Sequence, residues 1–308
     1  MGPSPAGTSR ATGASPKVAV IGLGAMGLPM ATRLSTRFDV SVFDPVASRL
    51  AMATRSGAQP ASTPAEASRG ADVVLLAVRT LDQVDGALFG SEGAAGSLEA
   101  GSVVVLTSTV GAPGAREIAA KLHPLGVELL DLPVSGGPQR AGAGDLLALA
   151  GGSANAISHA QPVLDLLAST VAVVGPEPGD GQAMKTVNQL LCGIHIAAAA
   201  EALALAAALG LDPRAALQAL GAGAAASFML EHRGPRIVEA LEGGVPEVLS
   251  RLDIFVKDLG IVSEAGRQAG VALPVASAAE QLFRIGEAAG LGASDDSSLV
   301  GILAPRRD

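Results

Sequence analysis

The feature that most constrains the fold of this 308-residue chain is a change of hydrophobic pattern near its middle. Before Gly181, short apolar runs rich in β-branched residues recur at helix-sized intervals, as in a buried parallel sheet built from βαβ units. After Gly181, only helical spacing continues. The pattern predicts an α/β domain with a mostly parallel, doubly wound sheet, followed by an all-helical domain. The predicted strands are 18–21, 40–43, 71–78, 102–106, 126–130, 146–150 and 171–174.

The expected domain boundary is the segment 175–181, where Gly, Pro and acidic residues cluster. We therefore predict a first domain over 17–180 and a helical domain over 181–308. Residues 1–16 lack the apolar segment of a secretory signal and are rich in Gly, Pro, Ser, Ala and Thr. We expect a disordered leader there.

The composition excludes several classes of partner. A net charge of -8 and a pI near 5.0 argue against nucleic acid, because phosphate backbones are bound by clustered Lys and Arg. Glu201 interrupts the longest apolar stretch, so we expect a soluble protein without a membrane partner. The single cysteine, Cys192, cannot form an intrachain disulfide, which favours a reducing, cytoplasmic setting.

A glycine-rich loop follows the first predicted strand and opens a helix. Glycines at this spacing allow a tight turn, a close approach of the backbone to a pyrophosphate, and close packing of helix on strand. The loop predicts a Rossmann-type dinucleotide site, although a ligand-free turn is the alternative. Its residues are Gly22, Leu23, Gly24, Ala25, Met26 and Gly27.

Asp44 ends the second predicted strand, 22 residues after Gly22. An acid at this point can accept hydrogen bonds from the adenosine ribose and would repel a 2'-phosphate. We therefore favour NAD over NADP as the cofactor. In the competing interpretation, Asp44 only starts a turn and Arg49 holds a phosphate.

Two further strand ends carry small polar residues. Ser135, Gly136 and Gly137 follow the strand 126–130, where exposed backbone N–H groups suit a substrate carboxylate. An ordinary glycine turn is the alternative. A hydrolase nucleophile at Ser135 is disfavoured, because Pro133 stands where the nucleophile elbow needs glycine. Ser108 and Thr109 follow the strand 102–106 and offer hydroxyls toward the same edge of the sheet. The alternative is that these hydroxyls are simply solvated.

Lys185 lies near the start of the most apolar helix, with Asn188 one turn away on the same face. An ammonium beside such an apolar run needs a partner or a task, so the pair suggests an oxidoreductase active site. A solvated lysine is the alternative. Lys257 is likewise flanked by apolar residues and carries the same two interpretations. We predict no metal site, since Cys192 and His195 share a helical face without a third ligand.

In this order the motifs resemble the β-hydroxyacid dehydrogenase family, over about residues 17–303. The C-terminal half is most similar to the L-threonate dehydrogenase branch of that family. The similarity to this branch rests on the segments 190–197, 210–213, 253–260 and 295–297.

The resemblance implies a Rossmann domain joined to a helical domain by a long helix, here Gly181 to Gly210. It implies that Lys185 is the catalytic group and that Asn188 helps to position substrate. It further implies that Ser135, Gly136 and Gly137 hold the substrate carboxylate, and that Thr109 and Lys257 contact the cofactor. Members of the family associate through their helical domains, so a homodimer or homotetramer is expected.

The expected reaction is NAD-dependent oxidation of a small hydroxy acid, with L-threonate as the first choice. Residues 224–228, His232 and the pair Arg79–Thr80 depart from the L-threonate pattern, which puts the substrate in doubt. The alternatives are 3-hydroxyisobutyrate and the tartronate semialdehyde and glycerate pair. A non-catalytic cofactor-binding sensor is an alternative from another class.

Overall fold

The first half of the chain forms a nine-stranded sheet in the computed structural model, which describes residues 15–303. The order of the first six strands, β3-β2-β1-β4-β5-β6, is that of a Rossmann fold, and all six run parallel. The strands are β1 (Val18–Ile21), β2 (Val40–Phe43), β3 (Gln59–Pro60), β4 (Val73–Leu76), β5 (Val103–Leu106), β6 (Glu128–Asp131), β7 (Val134–Ser135), β8 (Leu146–Gly151) and β9 (Ala168–Gly175).

Helices cover both faces of this sheet, which makes it doubly wound. Val18 and Val20 of β1 belong to one apolar cluster, and Ala19 and Ile21 belong to the other. All four are buried, and this two-sided burial is why the strands are apolar without alternation. The helices of this half are α1 (Gly27–Leu34), α2 (Ala47–Arg55), α3 (Pro64–Ser68), α4 (Leu81–Phe89), α5 (Ala112–Leu122), α6 (Gly137–Ala143) and α7 (Ala154–Leu167).

The sheet changes direction at one edge. β8 runs antiparallel to β6 and β7, which follow one another along the same side of it. β9 lies on the other side of β8 and is parallel to it. β6 therefore continues into β7 beyond the carboxyl ends of the other parallel strands, at the edge where open α/β sheets bind ligands.

Beyond Gly175 the described chain is helical, apart from an isolated bridge between Arg251 and Asp295. Asp212 caps α9 through a 3.1 Å bond from Arg214 N, as the Asp-Pro pair predicts. The helices are α8 (Asp180–Ala208), α9 (Pro213–Gly221), α10 (Phe228–Leu241), α11 (Leu252–Ala269) and α12 (Pro274–Gly286).

The 29-residue α8 is the central helix of this layer, and α10, α11 and α12 pack against it. It is long and apolar enough to cross a bilayer, but half of its most apolar stretch is buried inside the protein. We therefore interpret it as the core helix of the helical layer.

The predicted fold class is confirmed: a parallel-dominated Rossmann sheet is followed by a helical region. The expectation of a disordered leader over 1–16 falls almost entirely on 1–14, outside the described residues. The structure also contains β3, β7 and α10, which the hydrophobic pattern did not predict.

Candidate active site

The glycine loop Gly22–Gly27 lies between β1 and α1, and its three glycines have three different environments. Gly22 has φ 93°, and a Cβ there would lie 2.6 Å from the Ala77 carbonyl oxygen. A Cβ on Gly27 would lie 1.8 Å from the Gly22 carbonyl oxygen, so helix and strand pack too closely for a side chain. A Cβ on Gly24 would meet nothing within 4 Å.

These environments fit a dinucleotide pyrophosphate. A tight turn at Gly22 and close packing at Gly27 bring the backbone to the start of α1, and open space beside Gly24 lets a phosphate approach. Leu23, Ala25 and Met26 complete this loop.

Asp44 is buried at the end of β2 and is tied to the glycine loop. Its Oδ2 accepts a 2.7 Å bond from Leu23 N, and its Oδ1 accepts a 2.9 Å bond from Val46 N. The Arg49 guanidinium lies 3.5 Å from both carboxylate oxygens. The carboxylate thus lies beside the glycine loop, where it could accept hydrogen bonds from the ribose. The features of the competing interpretation are also present, since Asp44 starts a turn through Val46 N and Arg49 lies nearby.

The loop after β5 carries Ser108 and Thr109. The Ser108 hydroxyl is buried and accepts a 3.0 Å bond from Val78 N, so it connects this loop to the end of β4. Thr109 is half-buried, and its carbonyl oxygen accepts a 2.8 Å bond from Lys257 Nζ on α11. Lys257 therefore spans from the helical layer to the edge of the sheet.

One face of α11 lies along this edge. Asp253, Lys257 and Ile261 follow one another at four-residue spacing, so they form a single stripe. Asp253 Oδ2 lies 3.1 Å from Arg79 Nη2 after β4, and Ile261 reaches the position beside Gly111 after β5. The stripe therefore lies against the loops that follow β4 and β5.

Lys185 lies in the second turn of α8 and is 7 % exposed. Within residues 15–303 its amine has no hydrogen-bond partner. Burial lowers the pKa of Lys185, and the charge of Lys257 acts in the same direction, whereas Asp258 and Cys192 oppose the shift. A buried amine with a lowered pKa can exchange a proton near neutral pH.

Asn188 is connected to the same cluster. Its Nδ2 donates to Gln189 Oε1 at 2.9 Å and approaches Cys192 Sγ at 3.4 Å. Gln189 Nε2 in turn donates to Asp258 Oδ2 at 2.5 Å, while Lys257 Nζ lies 2.7 Å from Asp258 Oδ1. Burial raises the pKa of the Cys192 thiol, which favours its neutral form. The predicted residues Asn188 and Lys257 thus meet through Gln189 and Asp258.

Ser135, Gly136 and Gly137 lie where β7 passes into α6. Gly136 has φ 138° and Gly137 has φ 75°, values that favour glycine, and a Cβ on Gly137 would meet nothing within 4 Å. In the described part of the chain, the half-buried Ser135 hydroxyl makes no hydrogen bond, so no bond joins it to Lys185.

Two buried polar residues, Asp131 and Gln182, connect the end of β6 to the start of α8, and neither has a predicted role in the sequence analysis. Asp131 Oδ2 accepts bonds from Gly179 N at 2.9 Å and Gln182 N at 2.8 Å, so it caps the start of α8. Burial raises the pKa of the Asp131 carboxyl. A carboxylate ending a buried apolar strand was the available sequence signal.

The segment that departs from the L-threonate pattern lies at the start of α10. Ser227 caps this helix, and Phe228 stacks on His232 with ring centroids 5.5 Å apart. The His232 Nδ1 is 2.9 Å from Arg233 Nη1. Ala226, Ser227 and Phe228 line a cavity of about 570 Å³ between α9 and α10, and Lys185 is not part of its wall.

No three or more His, Cys, Asp or Glu side chains are grouped to hold a metal ion within residues 15–303.

Comparison with known proteins follows the same division of the chain. Residues 17–175 match the family of the NAD-binding domain of 6-phosphogluconate dehydrogenase. Residues 179–303 match the family described as NAD-binding of NADP-dependent 3-hydroxyisobutyrate dehydrogenase.

Similar proteins cover nearly the whole chain. The L-threonate dehydrogenase of Cupriavidus necator is 39 % identical over 94 % of this chain and 96 % of that protein. The L-threonate dehydrogenase of Escherichia coli K12 is 36 % identical over 95 % and 96 %. A solved structure of 3-hydroxyisobutyrate dehydrogenase from Salmonella typhimurium has a TM-score of 0.87 and 36 % identity, covering 94 % of this chain and all of that one.

Proposed function

The chain belongs to the 3-hydroxyisobutyrate dehydrogenase-like family, oxidoreductases that act on CH–OH donors with a nicotinamide cofactor, and we propose that it oxidises L-threonate to 2-dehydro-L-erythronate with NAD+. Support for this substrate comes from relatives named L-threonate dehydrogenase that align over nearly the full chain. The observation that carries the chemistry is the buried amine of Lys185, which has a lowered pKa and no hydrogen-bond partner in the described residues.

In the proposed mechanism, Lys185 accepts the proton of the substrate hydroxyl in the oxidative direction and returns it in the reverse direction. When bound, the nicotinamide ring supplies the hydride acceptor. Burial lowers the pKa of the amine and so favours its neutral form, while Asp258 limits how far that pKa falls. The lysine is thereby suited to exchange a proton within the working range of pH.

The substrate is held from two sides. Backbone N–H groups at Gly136 and Gly137, with the Ser135 hydroxyl, bind the carboxylate of the hydroxy acid, while the half-buried Asn188 orients the carbon chain. Ser135 is suited to this role because its hydroxyl has no partner among the described residues.

We assign NAD, with NADP as the alternative, on the position of Asp44. The buried carboxylate beside Leu23 N would accept hydrogen bonds from ribose hydroxyls and repel a 2'-phosphate. Residues 22–27 bind the pyrophosphate, and the loop of Ser108 and Thr109 with Lys257 lies against the cofactor. We accordingly assign cofactor binding to 17–180, and substrate binding and oligomerisation to 181–308.

We further propose that the protein is a cytoplasmic homo-oligomer, a dimer or a tetramer, that associates through α8. An apolar stripe runs along the outer side of that helix at spacings of three, four and seven residues, as in helices that pair. Its large, exposed members are Met184, Val187, Leu191 and Leu205. A second copy would cover them.

A smaller hydroxy acid, 3-hydroxyisobutyrate, is the second candidate substrate. At 224–228 the chain has Ala226 where the L-threonate branch has an amide, and Phe228 where the branch has a larger aromatic ring, which weakens recognition of a polyhydroxylated chain. The similar Salmonella protein is named for the smaller substrate.

A direct test is to follow NADH formation with a panel of C3 to C6 hydroxy acids. We expect L-threonate to give the highest kcat/KM, and NAD+ to be preferred over NADP+. Higher kcat/KM for 3-hydroxyisobutyrate or glycerate would replace the substrate assignment. The absence of turnover with every acid, despite NADH binding, would indicate a sensor.

A further inference from the structure

Gln182 is fully buried at the start of α8, one turn before Lys185, and all four hydrogen-bonding positions of its side chain are used. Its Nε2 donates to Asp131 Oδ1 at 2.9 Å and to the Ser108 carbonyl oxygen at 3.0 Å. Its Oε1 accepts from Val110 N at 2.9 Å and from Gly111 N at 3.1 Å. One amide thus connects β6, the loop after β5 and the helix that carries the lysine.

The bonds to the loop flank a single residue, Thr109. The Ser108 carbonyl belongs to the peptide group before Thr109, and Val110 N belongs to the peptide group after it. The Thr109 carbonyl oxygen is held separately by Lys257 Nζ. The peptide groups before and after Thr109 are therefore both bonded to α8 through Gln182, and the Thr109 carbonyl is also bonded to α11 through Lys257.

Resting on the proposed function, we propose that Gln182 is a positioning residue that sets the place of the Lys185 amine relative to the cofactor loop at Thr109. It acts through the helix on one side and through three peptide groups of the loop after β5 on the other. In the described residues, its four side-chain hydrogen bonds go to Asp131, Ser108, Val110 and Gly111, and none goes to the glycine cradle at 135–137 or to Asn188. Its loss should therefore disturb the chemical step more than substrate affinity.

An amide is the side chain that this position requires. Both acceptor bonds come from backbone N–H groups, while both donor bonds go to oxygens, one of them the buried Asp131 carboxylate. Methionine has a similar volume but cannot make any of the four bonds. Ionised glutamate keeps the acceptors, but it loses the donors and faces the Asp131 charge.

The first test compares Gln182→Met with the wild type in NADH formation from the best hydroxy acid. We expect kcat to fall about 100-fold, the loss typical of a small displacement at a reacting centre, while substrate KM changes less than about threefold. A folded Gln182→Met protein with kcat within about threefold of the wild type would overturn the proposal.

A matched control separates positioning from stability. Ser153→Ala removes the cap of α7, a 3.0 Å bond from Ala156 N, and a hydrogen bond to Glu128, all within the first domain. We expect this variant to lower Tm by several degrees and to keep the wild-type kcat. If the two variants lost the same amount of kcat for each degree of Tm lost, Gln182 would have a purely structural role, and the proposal would be overturned.

Gln182→Glu provides a second readout, which also applies if Gln182→Met does not fold. The charged groups near position 182 are Asp131 on β6, Asp180 and Lys185 on α8, and Arg116 on α5 beside Gly179. Protonated glutamate regains one donor, so the ratio of the variant rate to the wild-type rate should rise as pH falls. A ratio that does not change with pH would overturn the proposal.

The outcomes distinguish the two levels of the account. If the wild type oxidises no hydroxy acid, the proposed function fails. If the wild type is active and both Gln182 variants match it at every pH, only the positioning role fails.

Discussion

Lys257 Nζ donates a 2.8 Å hydrogen bond to the carbonyl oxygen of Thr109, a residue 148 positions earlier in the chain. The same ammonium lies 2.7 Å from Asp258 Oδ1, so one side chain joins the cofactor loop to the acid that faces Lys185. In the proposed function, this side chain therefore couples cofactor contact to proton transfer through α11.

The first prediction concerns the glycine loop. Gly24→Ala adds a methyl group where nothing lies within 4 Å, so the fold should be kept, but the methyl group enters the space through which a pyrophosphate approaches. We expect the Kd for NADH to rise at least about tenfold, with little change in Tm. Isothermal titration and thermal unfolding measure the two effects.

Gly22→Ala is the matched contrast. Its Cβ would lie 2.6 Å from the Ala77 carbonyl oxygen, at a backbone angle that disfavours side chains, so this variant should unfold at markedly lower temperature. Equal effects of the two substitutions on Tm would contradict the assignment of separate roles.

The second prediction concerns the choice between NAD and NADP. Asp44→Ser removes the carboxylate beside Leu23 and leaves Arg49 in place, so a 2'-phosphate should be accepted. We expect the ratio of kcat/KM for NAD+ to that for NADP+ to fall at least about tenfold, measured with one hydroxy acid.

Arg49→Ala separates the two interpretations of Asp44. It should leave NAD+ turnover nearly unchanged in an NAD enzyme. A large loss of NADP+ turnover, together with wild-type preference for NADP+, would instead support Arg49 as the phosphate-binding residue.

The third prediction concerns pH. Lys185 must be neutral to accept a proton, so oxidation should speed up as pH rises through its lowered pKa. Asp258 opposes that lowering, so Asp258→Asn should shift the rising limb of the kcat/KM profile to lower pH.

Asp253→Asn is the control for this shift, because it removes an acid one turn earlier on α11 that pairs with Arg79 and Arg251. Its profile should rise at the wild-type pH. The account of Lys185 is wrong if Asp258→Asn moves the limb to higher pH.

The sequence was sufficient for most of the sheet but not for its edges. β1 and β2 have the predicted bounds, because buried parallel strands are continuous apolar runs that local pattern detects. β3 and β7 have two residues each and depend on pairing with β2 and β8, which no local pattern reveals. α10 contains Gly234 and Pro235, residues that usually indicate a break, yet packing against α8 keeps it helical.

The candidate site shows the same limit. Lys185 is conspicuous in an apolar helix, but the roles of Gln182 and Asp131 depend on bonds between residues 51 positions apart. Such partners become visible only when the carboxyl ends of β5 and β6 meet the start of α8.

The fourth prediction concerns assembly. Leu205→Glu places a charge in the apolar stripe of α8, about 30 Å along the helix from Lys185 at 1.5 Å per residue. We expect light scattering to show a smaller species than the wild type. Val173→Glu, the same kind of change at an exposed residue of β9, is the control and should leave the mass unchanged. A wild-type monomer would contradict the proposed association.

The most direct test of the central claim is single-turnover NADH formation by Lys185→Met with L-threonate, since methionine removes the amine while keeping much of the side-chain volume. The account predicts a rate loss of at least about 100-fold, the scale of general acid–base catalysis, with the Kd for NADH within about threefold of the wild type. A variant that binds NADH normally and retains more than about one tenth of the wild-type rate would show that another group exchanges the proton.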